Sequence, residues 1–180
     1  MSTHVVFNTG VCSMESVLDR HEARDDHRAI FADLMERNRD KSVHYVRRAL
    51  GCDLDTAEDV AQDAFAIAFE KLGQFRSESS LDSWFFTILT RRIHYHRRWS
   101  NVRVKWRSFI GAAQETIDHT LERDPPLQKH LAQALAKLSP PQRDVFLLVH
   151  SQNFTVREAA GILDIQEGTA KSHLHRSLKK

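Results

Sequence analysis

Between Leu81 and Trp99 the sequence LDSWFFTILTRRIHYHRRW interleaves large aromatic rings with guanidinium groups, side chains that suit unpaired nucleic-acid strands. Aromatic faces stack on exposed bases and arginines hold phosphates, so a helix carrying both suits separated strands better than intact duplex. Immediately upstream, DLDTAEDVAQDAFAIAFE carries Asp53, Asp55, Glu58, Asp59, Asp63 and Glu70 and no arginine. Such an anionic surface must face something other than DNA. The formal net charge of +2, from 26 Lys and Arg against 24 Asp and Glu, therefore conceals a strong segregation. Arg91, Arg92, Arg97, Arg98, Arg103, Lys105 and Arg107 follow one another with no acid between them, and Lys171, Arg176, Lys179 and Lys180 close the chain.

Other chemistries find less support. Eleven histidines invite a metal site, but His94 with His96 and His173 with His175 are two residues apart, and on a helix such pairs point to different faces. Cys12 with His4 and His21 is the remaining loose grouping. Cys12 and Cys52 form neither a C-x-x-C motif nor a second pair, so reduced thiols of a cytoplasmic protein are the simplest reading. There is no G-x-S-x-G, no P-loop and no glycine-rich dinucleotide turn, and Glu122 and Asp124 beside Pro125-Pro126 read as linker. No catalytic residue, metal ligand or cofactor is expected. The start of the chain lacks a cationic segment followed by an apolar core, and aliphatic runs such as Phe146 to Val149 are far too short to span a bilayer, so membrane insertion is not expected.

The elements that must position these residues are helices throughout, because no run alternates polar with apolar residues over strand length. An all-α fold of two small helical domains joined by a flexible linker is expected. Residues 1–27 read as a mobile or weakly helical extension. Residues 28–100 read as a first domain: a long or broken helix stopped by Gly51, a helix capped by Asp55 with Ala57, Val60, Ala61, Ala64, Ile67, Ala68 and Leu72 on its buried stripe, and a third starting near Ser80. Leu81, Trp84, Phe85, Ile88 and Leu89 bury the third helix, while Phe86, Tyr95 and Trp99 could serve either core or bases. Residues 101–126 read as linker. Residues 127–180 read as a second domain, with cap signals at Ser139-Pro140-Pro141-Gln142 and Thr155-Val156-Arg157-Glu158. Its last two helices, joined through Asp164-Ile165-Gln166, have the helix-turn-helix pattern in which the second helix enters the major groove.

In this order, the motifs resemble those of a bacterial RNA polymerase sigma factor of the extracytoplasmic-function (ECF) type. AEDVAQDAF at 57–65 is similar to the family's core-polymerase-binding helix, FRSESSLDSWFFTIL at 75–89 to its promoter-melting segment, and FTVREAAGILDIQEGTAKSHLHRSLKK at 154–180 to its terminal DNA-reading module. The resemblance implies a non-enzymatic initiation factor that brings core polymerase to specific promoters and helps to open them. It implies that Asp59, Gln62 and Asp63 dock on the clamp helices of the largest polymerase subunit. The loop Phe75 to Ser80, with Phe75, Arg76, Ser79 and Ser80, would receive a base flipped from the minus-ten element, and Trp84, Arg91, Tyr95, Arg97 and Arg98 would hold the opened strand. Thr169, Lys171, Ser172, His173 and Arg176 would meet the minus-thirty-five duplex. An anti-sigma partner is implied as well.

The chain departs from the family pattern where Arg91 stands for a common asparagine and Tyr95 for a common aspartate. Ala170 replaces a usual valine, His173 a usual arginine and Asp164 a turn glycine. Promoter preference is therefore not carried over. The competing readings are a free-standing dimeric regulator, which leaves AEDVAQDAF unexplained, and a histidine-dependent metalloenzyme, which would hold stoichiometric metal.

Overall fold

The computed structural model describes residues 14–109 and 126–179, and every regular element among them is helical. The helices are α1 (Met14–Leu50), α2 (Leu54–Lys71), α3 (Leu81–Phe109), α4 (Pro126–Ala136), α5 (Pro140–His150), α6 (Val156–Leu163) and α7 (Glu167–Leu178). A single 3-10 turn, Leu72–Gln74, follows α2. Two boundaries differ from the sequence expectation. α1 begins at Met14, inside the expected extension, and α3 runs to Phe109, inside the expected linker. Apolar periodicity marks the part of a helix that is buried, whereas helicity itself persists through Glu, Arg, Lys and Ala where no Gly or Pro intervenes.

Local chemistry explains the other ends. Gly51 closes α1 at φ +64, with its N–H 2.8 Å from the Arg47 carbonyl, a left-handed conformation that suits a residue without Cβ. The cap of α2 is Asp53, not Asp55: the Asp53 carboxylate accepts from Thr56 N at 2.8 Å, and Asp55 lies in the first turn, where its charge meets the positive helix end. Ser80 starts α3 by accepting from Ser83 N at 3.1 Å. Ser139 N donates to the Gln142 side chain, and Thr155 and Glu158 exchange the paired bonds of a capping box. Asp164 takes a left-handed turn conformation (φ 55), as short polar side chains can.

The first three helices pack around an unequal seam. α2 offers Ala57, Ala61, Ala64 and Ala68, all nearly inaccessible, and this flat stripe lets the ring-bearing face of α3 approach closely. Phe85 stacks on Phe65 at 4.4 Å and meets Phe86 edge-on at 5.7 Å, while Tyr45 of α1 meets Phe86 at 5.6 Å. Each fully buried ring of this kind contributes about 1.5–3 kcal/mol. Polar groups on the buried side of α1 are satisfied across the seam: Asn38 donates to Asp82 Oδ1 at 2.7 Å, and Tyr45 Oη lies 3.3 Å from Thr90 Oγ1. In the second half, Val145, Ala160 and Ala170 form a small core of their own with Val149, Leu163, Ile165 and Leu174, where α7 crosses α5 and α6.

The two halves also touch. α5 packs on α1 and α6 on α3, and one buried cluster runs from Phe85, Leu89 and Ile93 through Leu135, Leu147 and Leu148 to Ile162. Phe86 meets Phe154, in the loop before α6, edge-on at 5.0 Å. Phe86 is thereby a core residue, only 1% exposed, which settles one of the aromatic alternatives left open by the sequence.

Candidate nucleic-acid and polymerase interface

α2 turns its alanine stripe inward, and the period of the helix therefore puts Asp59, Gln62 and Asp63 outward; all three are exposed. Asp63 is ion-paired with Arg92 of α3, whose guanidinium also lies 5.0 Å from the centre of the Tyr95 ring. This pairing is invisible in a linear reading, in which the arginines of α3 have no neighbouring acid. Asp59 has no ion-pair partner among the described residues.

Beside that pair, α2 and α3 enclose an open cleft of about 470 Å³ lined by Val60, Asp63, Arg92, Tyr95, His96, Trp99 and Arg103. Tyr95 and Trp99 are about half exposed, at 51% and 48%, with ring centres 6.0 Å apart. Two accessible rings flanked by Arg92 and Arg103 can stack a base and hold its phosphate. Burial pushes the His96 imidazole below its ordinary value, and the nearby charges of Arg103 and Arg92 act in the same direction, which favours the neutral ring.

The loop between α2 and α3 keeps Arg76, Ser79 and Ser80 exposed, with Ser77 in a left-handed conformation at φ 56. Phe75 and Trp84 are half-buried and rest against each other at 5.4 Å, so each can present an edge while anchoring the loop. Ser80 is committed to capping α3 as well as being accessible.

The basic end of α3 divides. Arg91 and Arg98 are exposed, but Arg97 is turned inward, 21% exposed, against the second half of the chain. Its Nη1 and Nη2 lie 3.2 and 3.1 Å from the two carboxylate oxygens of Asp144 on α5. His94 Nε2 reaches the same carboxylate at 2.8 Å. Burial alone would push the Asp144 carboxyl up; the hydrogen bonds from His94 and Arg97 and the charge of Arg97 outweigh it and hold it below the ordinary aspartate range. Arg143 is its neighbour on α5, with Nε on the Leu135 carbonyl at 2.9 Å and Nη1 on the Ala49 carbonyl at 3.1 Å. Sequence reasoning missed Asp144 and Arg143. The signal was present, because Asp144 sits three and four residues before Leu147 and Leu148 and so shares their buried stripe.

On α7, Ala170 is fully buried while Thr169, Lys171, Ser172 and Arg176 are exposed. Lys171 pairs with Glu167 at 2.7 Å, and Ser172 Oγ donates to the Gly168 carbonyl at 3.0 Å. His173 is half-buried, with Nδ1 enclosed and unpaired, so it presents less of itself than its neighbours. Among the described residues no cluster of His, Cys, Asp and Glu could hold a metal ion. Cys12, His4, Glu122 and Asp124 lie outside the described residues, as does the side chain of His21. The Cys52 thiol is pushed up to about 11, by burial first and then by Asp53, and is unreactive near neutrality. No helix among the described residues is long and apolar enough to cross a membrane.

The sequence matches Sigma-70 region 2 over residues 34–101 and Sigma-70 region 4 over residues 129–180. It is 30% identical over 139 residues to the ECF RNA polymerase sigma factor EcfG of Rhodopseudomonas palustris, covering 73% of this chain and 72% of that protein. The chain belongs to the ECF RNA polymerase sigma factors. This sigma factor is 28% identical to the RNA polymerase sigma factor YlaC of Bacillus subtilis over 158 residues, 84% of this chain and 89% of the relative. Its fold is that of RpoE of Bartonella quintana, solved with the anti-sigma factor NepR (TM-score 0.63, 24% identity, 88% and 92% of the two chains). CnrH, solved with the cytosolic domain of CnrY, is similar at TM-score 0.61 and 19% identity over 84% of each chain. As a sigma factor the protein is a transcription initiation factor and not an enzyme; it binds core RNA polymerase and promoter DNA.

Proposed function

We propose the following division of labour within this sigma factor. Residues 28–100 form the unit that docks on polymerase and opens the promoter, residues 101–126 link it to the rest, and residues 127–180 read the minus-thirty-five duplex. Asp59, Gln62 and Asp63 meet the basic clamp helices of the largest polymerase subunit. Phe75, Arg76, Ser79 and Ser80 receive the flipped minus-ten base, and Trp84, Arg91, Tyr95, Arg97 and Arg98 hold the melted strand. Thr169, Lys171, Ser172, His173 and Arg176 contact the upstream duplex, His173 through the part of its ring that remains accessible. The observation that carries this reading is the juxtaposition on α2 and α3 of an exposed acidic face with the accessible Tyr95 and Trp99 rings, so that polymerase and DNA can be held by one rigid seam. The protein works in the cytoplasm, where its polymerase is, and an anti-sigma factor holds it inactive, as the partners of the structurally similar RpoE and CnrH suggest.

Run-off transcription with purified core polymerase on genomic fragments tests this assignment. Specific starts that depend on the added chain are expected, and their loss on substituting Tyr95 and Trp99 together by alanine, with polymerase binding retained, would locate strand opening in the cleft. Starts that survive this double substitution would refute that placement.

A further inference from the structure

Asp144 is 97% enclosed by its surroundings, its side chain only 3% exposed, yet it stays ionised because it bridges two residues of the other half of the chain, Arg97 and His94. The carbonyl of Ala49, in the last turn of α1 where helix carbonyls lack internal partners, accepts from Arg97 Nη2 at 3.2 Å and from Arg143 Nη1 at 3.1 Å. Arg48 Nη1 donates to Ser151 Oγ at 2.9 Å, and Phe86 meets Phe154 edge-on as a further, apolar contact between the halves. Residues from α1, α3, α5 and the loop after α5 thus meet in a defined and mutually satisfied arrangement.

We propose that this contact is an autoinhibitory clasp, in which Asp144 occupies Arg97 and the second half of the chain covers the adjoining side of α3 until the halves separate. The proposal rests on the assignment of Arg97 to the opened promoter strand. Two physical arguments support it. A carboxylate bound to a guanidinium in the bidentate manner is a close stand-in for a phosphate, so Asp144 and a DNA strand compete for the same group. A buried ion pair gains little over its separated, hydrated partners, so such a contact specifies a geometry without fastening it, as a reversible closure requires. The masking is selective. Lys171 and Arg176 on α7 and Asp59 and Gln62 on α2 stay exposed in the closed form, so duplex and polymerase can engage first, and strand holding through Arg97 follows opening.

The test uses the full chain, with a fluorophore pair placed at the exposed positions Glu70 and Gln133 through encoded azides that leave Cys12 and Cys52 untouched. Energy transfer in the free protein is read together with affinity for a short mixed-sequence single-stranded DNA. Asp144→Ala should lower transfer and tighten binding about tenfold, the gain expected when an open form near a tenth of the population becomes the main one. Adding Arg97→Ala should abolish that gain. Phe154→Ala, which removes an apolar contact outside the ion pairs, should open the chain in the same way and carries the test if Asp144→Ala loses helicity by circular dichroism. Unchanged transfer in the folded variants would overturn the clasp. Lowered transfer without tighter binding would overturn the masking, and specific run-off transcription by the same variants would show that the sigma-factor reading itself still stands.

Discussion

Charge reversal at Asp59 and Asp63 separates the docking role of α2 from its structural one. Both carboxylates point away from the alanine stripe, so Asp59→Lys with Asp63→Lys removes nothing from the core. The single described ion pair lost is Asp63 with Arg92, whose side chains are 57% and 30% exposed, and an exposed pair of this kind contributes about 0–1 kcal/mol. The melting midpoint should therefore fall by no more than a few degrees. At an interface with basic clamp helices each reversal turns an attraction into a repulsion; together they should cost about 3–5 kcal/mol, roughly a hundredfold to several thousandfold in affinity. Titration of fluorescent core polymerase, with thermal unfolding measured on the same samples, reads both quantities. Arg92→Ala serves as the control, since it breaks the same internal pair and leaves the acidic face in place, and it should bind polymerase at least as well as the parent chain. Near-parental affinity of the double reversal would refute the docking assignment, and equal losses for Arg92→Ala would show that the internal pair, and not the face, was responsible.

Lys171→Ala and Arg176→Ala should each weaken binding to the upstream promoter duplex and reduce the slope of log K against log salt by about 0.9, as loss of one phosphate contact requires; fluorescence anisotropy across a salt series measures it. Asp144 makes the closed form acid-sensitive with a definite sign. Its carboxyl lies below the unfolded value, so its contribution is complete above the ordinary aspartate range, near about pH 4, and is lost as pH falls through the folded value; Asp144→Asn should flatten that acid limb in melting curves taken across pH. Gly51→Ala forces a left-handed conformation on a residue with Cβ, and since nothing lies within 4 Å of the added atom the cost is that of the backbone alone, about 1–2 kcal/mol by urea denaturation.

How much was legible before folding differs from element to element. The helical period exposed Asp59, Gln62 and Asp63 opposite the alanines, and the cap signals at Ser139 and Thr155 stood where the helices begin. Those features depend on residues within a few positions of one another, so local order suffices. The start of α1 at Met14 and the end of α3 at Phe109 are poorly marked in the sequence, because apolar spacing is sparse there and reports contact rather than conformation. Asp53 took the cap expected at Asp55, a choice between two adequate acids decided by where the chain leaves Gly51.

Composition and helical period, which act over a few residues, are enough to specify an all-α chain with an acidic helix, an aromatic-basic helix and a terminal helix-turn-helix. Which of its cations are paired follows from how the helices pack. Arg92 meets Asp63 and Arg97 meets Asp144 across separations of 29 and 47 residues, and Phe86 is enclosed while Tyr95 and Trp99 on the same helix stay open. Electrostatic pairing and burial depend on distance in space, and distances between segments this far apart along the chain are fixed only when the helices pack.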